Sequence, residues 1–264
     1  MRRSRVRPRT QSAVFEYPSD PGGSRRSEHV AYRADFARIR MLCEWSGPCV
    51  PCDVARQRRC FVPGVSCHVT QRGNNRSPIF RVSSDYDVFL VLLRWSFERL
   101  AVAVHAYALM TNHVHLLVTP EEETALPRAM QALGLRYVQY FNRRYSRSGG
   151  LWEGRYRSAL IHDERYWMTC MRYVELNPVR ARIAVSPEHH RWSSYAHHAF
   201  GKPDSIIRDH ALYLALGRSP EARELAWREI CDQKMTPEEL EHMRRSIRSG
   251  IVLGDPAHHE VEAG

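Results

Sequence analysis

The stretch that most constrains this chain is Ala108-Leu-Met-Thr-Asn-His-Val-His-Leu-Leu-Val118. From His113 to Val118 it is short and apolar, with Thr111-Asn112 before it and Thr119-Pro120 after it, which predicts a buried strand. On a strand, successive side chains point to opposite faces, so His113 and His115 share one face while Val114 and Leu116 take the other. Two imidazoles side by side on a rigid strand are half of a metal site, although an ordinary strand can also carry them. The second half is offered by Tyr173-Val-Glu-Leu-Asn-Pro178. Tyr173 and Asn177 lie four residues apart and are expected to share a helical face. Two imidazoles and an amide oxygen leave coordination positions open, a mixed N/O set that suits Mg²⁺ or Mn²⁺. A tyrosine beside such a site is a candidate nucleophile. A phenol is weak at neutral pH, so its electrophile has to be activated, as a metal on a non-bridging phosphate oxygen would do. The competing reading is packing: Tyr166, Trp167 and Met171 share the helix, and an Asn before Pro often just ends one.

Around these stretches the sequence predicts a recurrent order of elements. Val65 to Thr70 alternates as a half-buried strand, and Gln71-Arg-Gly-Asn-Asn-Arg76 follows as a polar turn. Asp85 is placed to cap a helix running to about Leu100 with Val88, Leu92 and Trp95 on its apolar face. Val102 to Thr111 and His113 to Val118 form a hairpin through a tight Thr-Asn turn. A long amphipathic helix, Leu126 to Tyr145, presents Met130, Leu133, Tyr137 and Phe141, and Gly149-Gly150 breaks it. Arg155 to Ile161 is a fourth strand. Asp163 then caps a helix that carries Tyr173 and Asn177 and stops at Pro178, because a residue before proline is pushed out of helical geometry. The expected fold class is therefore α+β: a ferredoxin-like βαββαβ unit, a four-stranded antiparallel sheet with helices on one face, with an added helix bearing Tyr173. Beyond Phe200 the chain reads as helical, with proline-led starts at Ser219-Pro220 and Thr236-Pro237 and a stop at Gly250.

Composition bears on the partner. The 264-residue chain has a formal net charge of +10, carried almost wholly by arginine, which favours an anionic polymer and suits phosphate better than lysine does. No run approaches the roughly eighteen apolar residues of a membrane span, and the arginine-rich start lacks the apolar core of a signal peptide. A cytoplasmic, nucleoid-associated protein without an organic cofactor is the expectation. Seven cysteines are expected to be free thiols. Cys49-Val-Pro-Cys52, flanked by Cys43 and Cys60, resembles a zinc pattern, but its irregular spacing argues against one. Residues 1–53, opening with Arg2, Arg3, Arg5, Arg7 and Arg9, lack periodicity and are expected to be a disordered arm, or an extension ahead of a true start near Val54. The expected division is 1–53, a catalytic domain over 54–200, and a helical region over 201–264. The pairs His189-His190 and His197-His198 stand in a loop-like stretch without a carboxylate framework and are expected at the surface.

Taken together, these motifs resemble the IS200-like superfamily of single-tyrosine HUH transposases, in particular the REP-associated branch. The resemblance rests on the His113-Val-His115 strand followed by Tyr173-x-x-x-Asn177-Pro178. It is supported by Cys67-His-Val-Thr-Gln-Arg-Gly-Asn-Asn-Arg76, Leu151-Trp-Glu-Gly-Arg-Tyr-Arg-Ser158, Arg172 to Arg180, and Trp192-Ser-Ser-Tyr195, and it spans roughly Val54 to Gly254. It implies His113, His115 and Asn177 as metal ligands. It implies Tyr173 as a nucleophile that cuts single-stranded or hairpin DNA, leaving a 5′-phosphotyrosine and a free 3′-OH. Family transposases usually have Gln at the third ligand position, so Asn177 points to the REP-associated branch; the N-terminal 53 residues are not a family feature. Arg72, Asn74, Arg76, Trp152, Arg155, Arg157 and Arg180 are the candidate DNA contacts, since arginines interleaved with aromatics suit a backbone groove with stacked bases. The protein is expected to work as a monomer or homodimer. Two alternatives stay open: a non-catalytic nucleic-acid-binding module on the same sheet, and a metal-dependent hydrolase using water.

Overall fold

The computed structural model describes residues 61–249. The expectations for residues 1–53, for the Cys43, Cys49, Cys52 and Cys60 group, and for the Gly250 stop lie outside the described residues. Cys67, Cys170 and Cys231 are free and buried.

Four strands form one antiparallel sheet: β1 (Cys67–Arg72), β2 (Val102–Met110), β3 (His113–Pro120) and β4 (Arg157–Leu160), in the order β2-β3-β1-β4. With α1 (Ser83–Arg99) between β1 and β2, and α2 (Ala125–Arg144) between β3 and β4, this is the ferredoxin-like βαββαβ arrangement. Helices α1 and α2 cover one face. Their core with the sheet includes Val69, Phe89, Leu93, Phe97, Tyr107, Leu109, Val114, Leu116, Leu133, Tyr137 and Phe141, all buried. The four residues expected on the inner face of α2 are all there.

Two local expectations needed correction. In α1 the buried stripe is Phe89, Leu93 and Phe97, and Trp95 is 40% exposed. The helix is apolar around much of its circumference, so packing chooses the stripe, with Leu92 of the expected one only partly buried against the same core. Asp85 is also not the N-cap: it sits inside the first turn, and its carboxylate accepts from the backbone N–H groups of Arg81 and Val82 at 2.8 and 3.1 Å.

The opposite face of the sheet is covered by α3 (Glu164–Glu175), begun as expected by Asp163, whose carboxylate accepts from Arg165 and Tyr166 N–H. After it come α4 (Asn177–Arg180), α5 (Tyr195–Phe200), α6 (Ala211–Leu214), α7 (Pro220–Asp232) and α8 (Pro237–Ser249). Tyr213, Trp227, Cys231 and Met243 from these later helices share a core with Trp167, Tyr173, Ala106 and Leu117. Pro178 does not end the coil. Helix α3 stops at Glu175, Leu176 is the hinge, and Asn177 opens the next turn, with Ala181 N–H bonded to the Asn177 carbonyl at 2.9 Å. Proline lacks an N–H, so one helical bond is missing there while the chain path continues. Among the described residues, no helix is long and apolar enough to cross a membrane.

Candidate metal and nucleic-acid site

The register of the sheet assembles the site. Thr70 of β1 stands opposite His115, Arg72 opposite His113, and Arg157 of β4 opposite Thr70. Directly opposed residues share a face, so His113, His115, Thr70, Arg72 and Arg157 all point toward α3. His68 is on that face too, diagonal to His115, and is fully buried. Helix α3 lays Tyr173 over this row, with its ring edge-on to His68 at 5.7 Å and to His115 at 5.8 Å between centroids. Asn177 follows across the hinge and places Nδ2 3.1 Å from His115 Nε2. The structure brings His113, His115, Tyr173 and Asn177 to one place.

Hydrogen bonds fix how the histidines present themselves. The Asn112 amide donates to the Arg76 carbonyl at 2.9 Å, so its Oδ1 must accept from His113 Nδ1, 2.7 Å away. That leaves His113 Nε2 as a lone pair. Where Asn177 Nδ2 donates to His115 Nε2, His115 carries its proton on Nδ1 and donates to His68 Nε2 at 3.0 Å. His68 Nδ1 is then a buried group with no hydrogen-bond partner among the described residues. Both strand imidazoles stay neutral over the ordinary range. Burial, then the Arg72 charge, holds His113 down to about 4. Burial, then Arg180, holds His68 down to about 3. His115 lies well below its usual value, first through burial and then through His113, His68 and the nearby arginines. Neutral imidazole is the form that binds a metal. An amide rotated by half a turn puts Asn177 Oδ1 where Nδ2 now lies, so the donor set is two imidazole nitrogens and one oxygen, and it fits a divalent cation.

His113, His115, Tyr173 and Asn177 line a cleft of about 680 Å³ whose wall carries Arg72, Arg76, Arg155, Arg157, Arg244 and Arg248 and, among the described residues, the one acid Glu153. Tyr173, Asn177 and His115 are only 9%, 8% and 6% exposed, so the reactive groups sit at its floor while the arginines Arg72, Arg76, Arg155 and Arg157 stand exposed around them. Other candidates fall elsewhere. Trp152 lines a neighbouring, largely apolar cavity of about 770 Å³ with Phe61, Leu133 and Tyr156; Arg155 borders both cavities. Asn74 is in the turn beside the cleft but does not line it. Arg180 lies behind the tyrosine, its guanidinium 4.0 Å from the ring centroid and bonded to the Tyr173 carbonyl. Sequence reasoning missed His68, Arg244 and Arg248. The Cys67-His-Val-Thr alternation did set His68 off from the core residues beside it, and the arginines of α8 recur at a four-residue spacing; what was absent was the register that brings them to the site.

The family model for "Transposase IS200 like" matches residues 61–177. Among solved structures, the chain is similar to a REP-associated tyrosine transposase bound to a REP hairpin, at 15% identity and TM-score 0.45, over 60% of this chain and 96% of that one. It is also similar to a candidate transposase of Deinococcus radiodurans R1, at 18% identity and TM-score 0.33, over 52% of this chain and 98% of that one. No curated protein matches.

Proposed function

We propose, for a chain whose residues 61–177 match the model of the IS200-like transposases, a metal-dependent nickase and strand transferase that works on single-stranded, hairpin-forming DNA through Tyr173. The observation that carries this reading is the convergence of Tyr173 with His113, His115 and Asn177 on the floor of one arginine-walled cleft. Arg72, Arg76, Arg155 and Arg157 bind the phosphates of the strand and draw it along the cleft, as planar guanidinium groups do well. Tyr173 Oη attacks the scissile phosphorus. The new bond is Oη–P, the bond broken is P–O3′, and the products are a 5′-phosphotyrosine and a free 3′-OH. Arg180 stacked on the ring and bonded to the Tyr173 carbonyl holds the nucleophile in place. His113, His115 and Asn177 would hold Mg²⁺ or Mn²⁺, which would supply charge stabilisation at the phosphate oxygens. Strand transfer is the reverse attack by a 3′-OH on the phosphotyrosine.

The test uses labelled hairpin-bearing single-stranded DNA with Mn²⁺, followed by denaturing electrophoresis. The wild-type protein is expected to give a covalent protein–DNA adduct, and Tyr173→Phe none, with DNA binding nearly unchanged because only one oxygen is removed. Cleavage by Tyr173→Phe would instead point to water as the nucleophile, and binding without cleavage by either protein to a non-catalytic module.

A further inference from the structure

Outside the cleft, His197, His198 and Asp209 come together, with their candidate ligand atoms all within 4.8 Å of one another. The two histidines are not the surface pair the sequence suggests. They lie on α5, and His198 is 1% exposed. A carboxylate framework exists, but it comes from distant segments: Glu175 at the end of α3 and Asp209 in the loop before α6.

The second ring nitrogen of each histidine fixes the first. His198 Nδ1 is 2.7 Å from the Glu175 carboxylate, which is fully buried and also accepts from Trp227 Nε1 at 2.8 Å. A carboxylate only accepts, so His198 Nδ1 carries a proton, and Nε2 in the neutral ring is a lone pair. His197 Nδ1 is 3.0 Å from the Lys202 carbonyl, with the same consequence. Both Nε2 atoms turn toward Asp209 Oδ1, at 3.1 Å from His197 and 3.7 Å from His198, the latter beyond hydrogen-bond distance. With both rings neutral three acceptors converge with no donor among them, so the space calls either for a cation or for a proton on His197 Nε2 that is donated to Asp209.

We propose that His197 Nε2, His198 Nε2 and the Asp209 carboxylate bind a divalent transition cation, with Zn²⁺ the best match and water as the fourth ligand. Bond lengths of about 2.0–2.1 Å put the ligands of a tetrahedral zinc roughly 3.3 Å apart, between the two measured separations from Asp209. Two imidazoles and one carboxylate with a water are a donor set that tetrahedral zinc takes, and the set is too poor in oxygen for the six to eight ligands of Ca²⁺. Glu175 and the Lys202 carbonyl are the outer partners that orient metal-binding histidines. The side chains of His197 and Asp209 are 21% and 32% exposed, which gives the ion a route in. Through His198 and Glu175 the bound ion braces the end of α3, two residues beyond Tyr173. This site is separate from the cleft and does not depend on the nuclease reading.

The rival occupant is a proton on His197, and the experiment separates the two. Full-length protein carrying His113→Ala and His115→Ala, which removes the cleft imidazoles, is stripped with chelator and titrated with ZnCl₂ alone at neutral pH. Adding Asp209→Ala to that background is expected to remove about one equivalent of bound zinc. Zinc is also expected to raise the melting temperature of the first protein and not of the second. His197→Gln should reproduce the loss, and circular dichroism shows whether each variant is folded. Equal zinc uptake and equal thermal shifts with and without Asp209, or no uptake in either protein, would overturn the proposal in favour of the proton.

Discussion

His68 shows what one residue can decide at this site. Its Nε2 is the acceptor for His115 Nδ1, and that bond leaves His115 Nε2 as a lone pair toward Asn177. Losing such an outer partner typically costs a factor of about 10–100 in metal affinity. We therefore expect His68→Ala to weaken Mn²⁺ binding by that order, read by calorimetry; unchanged affinity would remove His68 from the site. Val114, between the two histidines, behaves differently because it points to the other face and is fully buried. Val114→Ala should cost roughly 2 kcal/mol in a denaturant titration with metal affinity preserved, and a matched loss of metal affinity would mean that the strand's two faces are not separate. The alternation that divides these roles was legible in the sequence, since a strand's period is fixed by its backbone. His68 as a partner was not legible: its place beside His115 depends on a β1–β3 register that no local pattern encodes. Arg180 was read as a DNA contact for a related reason, since sequence alone cannot tell an arginine facing a groove from one stacked behind a ring.

At the level of elements, the βαββαβ order came through because each unit carries its own period, and most predicted boundaries differ from the observed ones by a residue or two. The inner face of α1 did not come through, because a helix apolar on several sides leaves packing to choose. Turns are legible only as turns. The loop after β1 illustrates this: Gly73 donates its N–H to the Asn112 carbonyl at 2.9 Å, which ties the Arg72–Arg76 loop to the hairpin that presents His113. A Cβ at position 73 would stand 2.4 Å from the Ser77 carbonyl oxygen and 2.7 Å from an Ile79 methyl. Backbone lies on one side and a fully buried side chain on the other, so the loop has to move. Gly73→Ala is expected to lower stability by about 1–3 kcal/mol, the usual cost of overpacking, and to weaken hairpin DNA binding as Arg72 and Arg76 shift. A denaturation midpoint equal to wild type would show that the loop is looser than this contact implies.

Across the whole molecule, both faces of one small sheet are buried, and that places several histidines where their charged form is penalised. His105 on β2 is bonded through Nδ1 to the Arg208 carbonyl at 2.7 Å and through Nε2 to Thr119 at 2.8 Å, and burial holds it down to about 4. His210 is stacked on Trp167 at 4.1 Å, and burial, then His105, holds it down to about 3. In the unfolded chain both return to the ordinary value of 6.5. Below that pH the unfolded state binds protons that the folded state refuses, so the stability these groups contribute is complete above 6.5 and is lost as pH falls toward 4 and 3. His113 and His68 act in the same direction. His197, raised first by its hydrogen bond to Asp209, has the opposite sign, but its contribution is already complete below 6.5 and stays flat through this window. Ordinary carboxylates titrate nearer pH 4, so the upper part of the window belongs to the buried histidines. Urea unfolding of the metal-free protein should therefore show stability falling steadily from about pH 6.5 downward, and His105→Gln, although less stable overall, should fall with a shallower slope. A profile flat to about pH 5, or an unchanged slope in His105→Gln, would mean that these rings reach water and that the second face of the sheet is less tightly covered than its packing indicates.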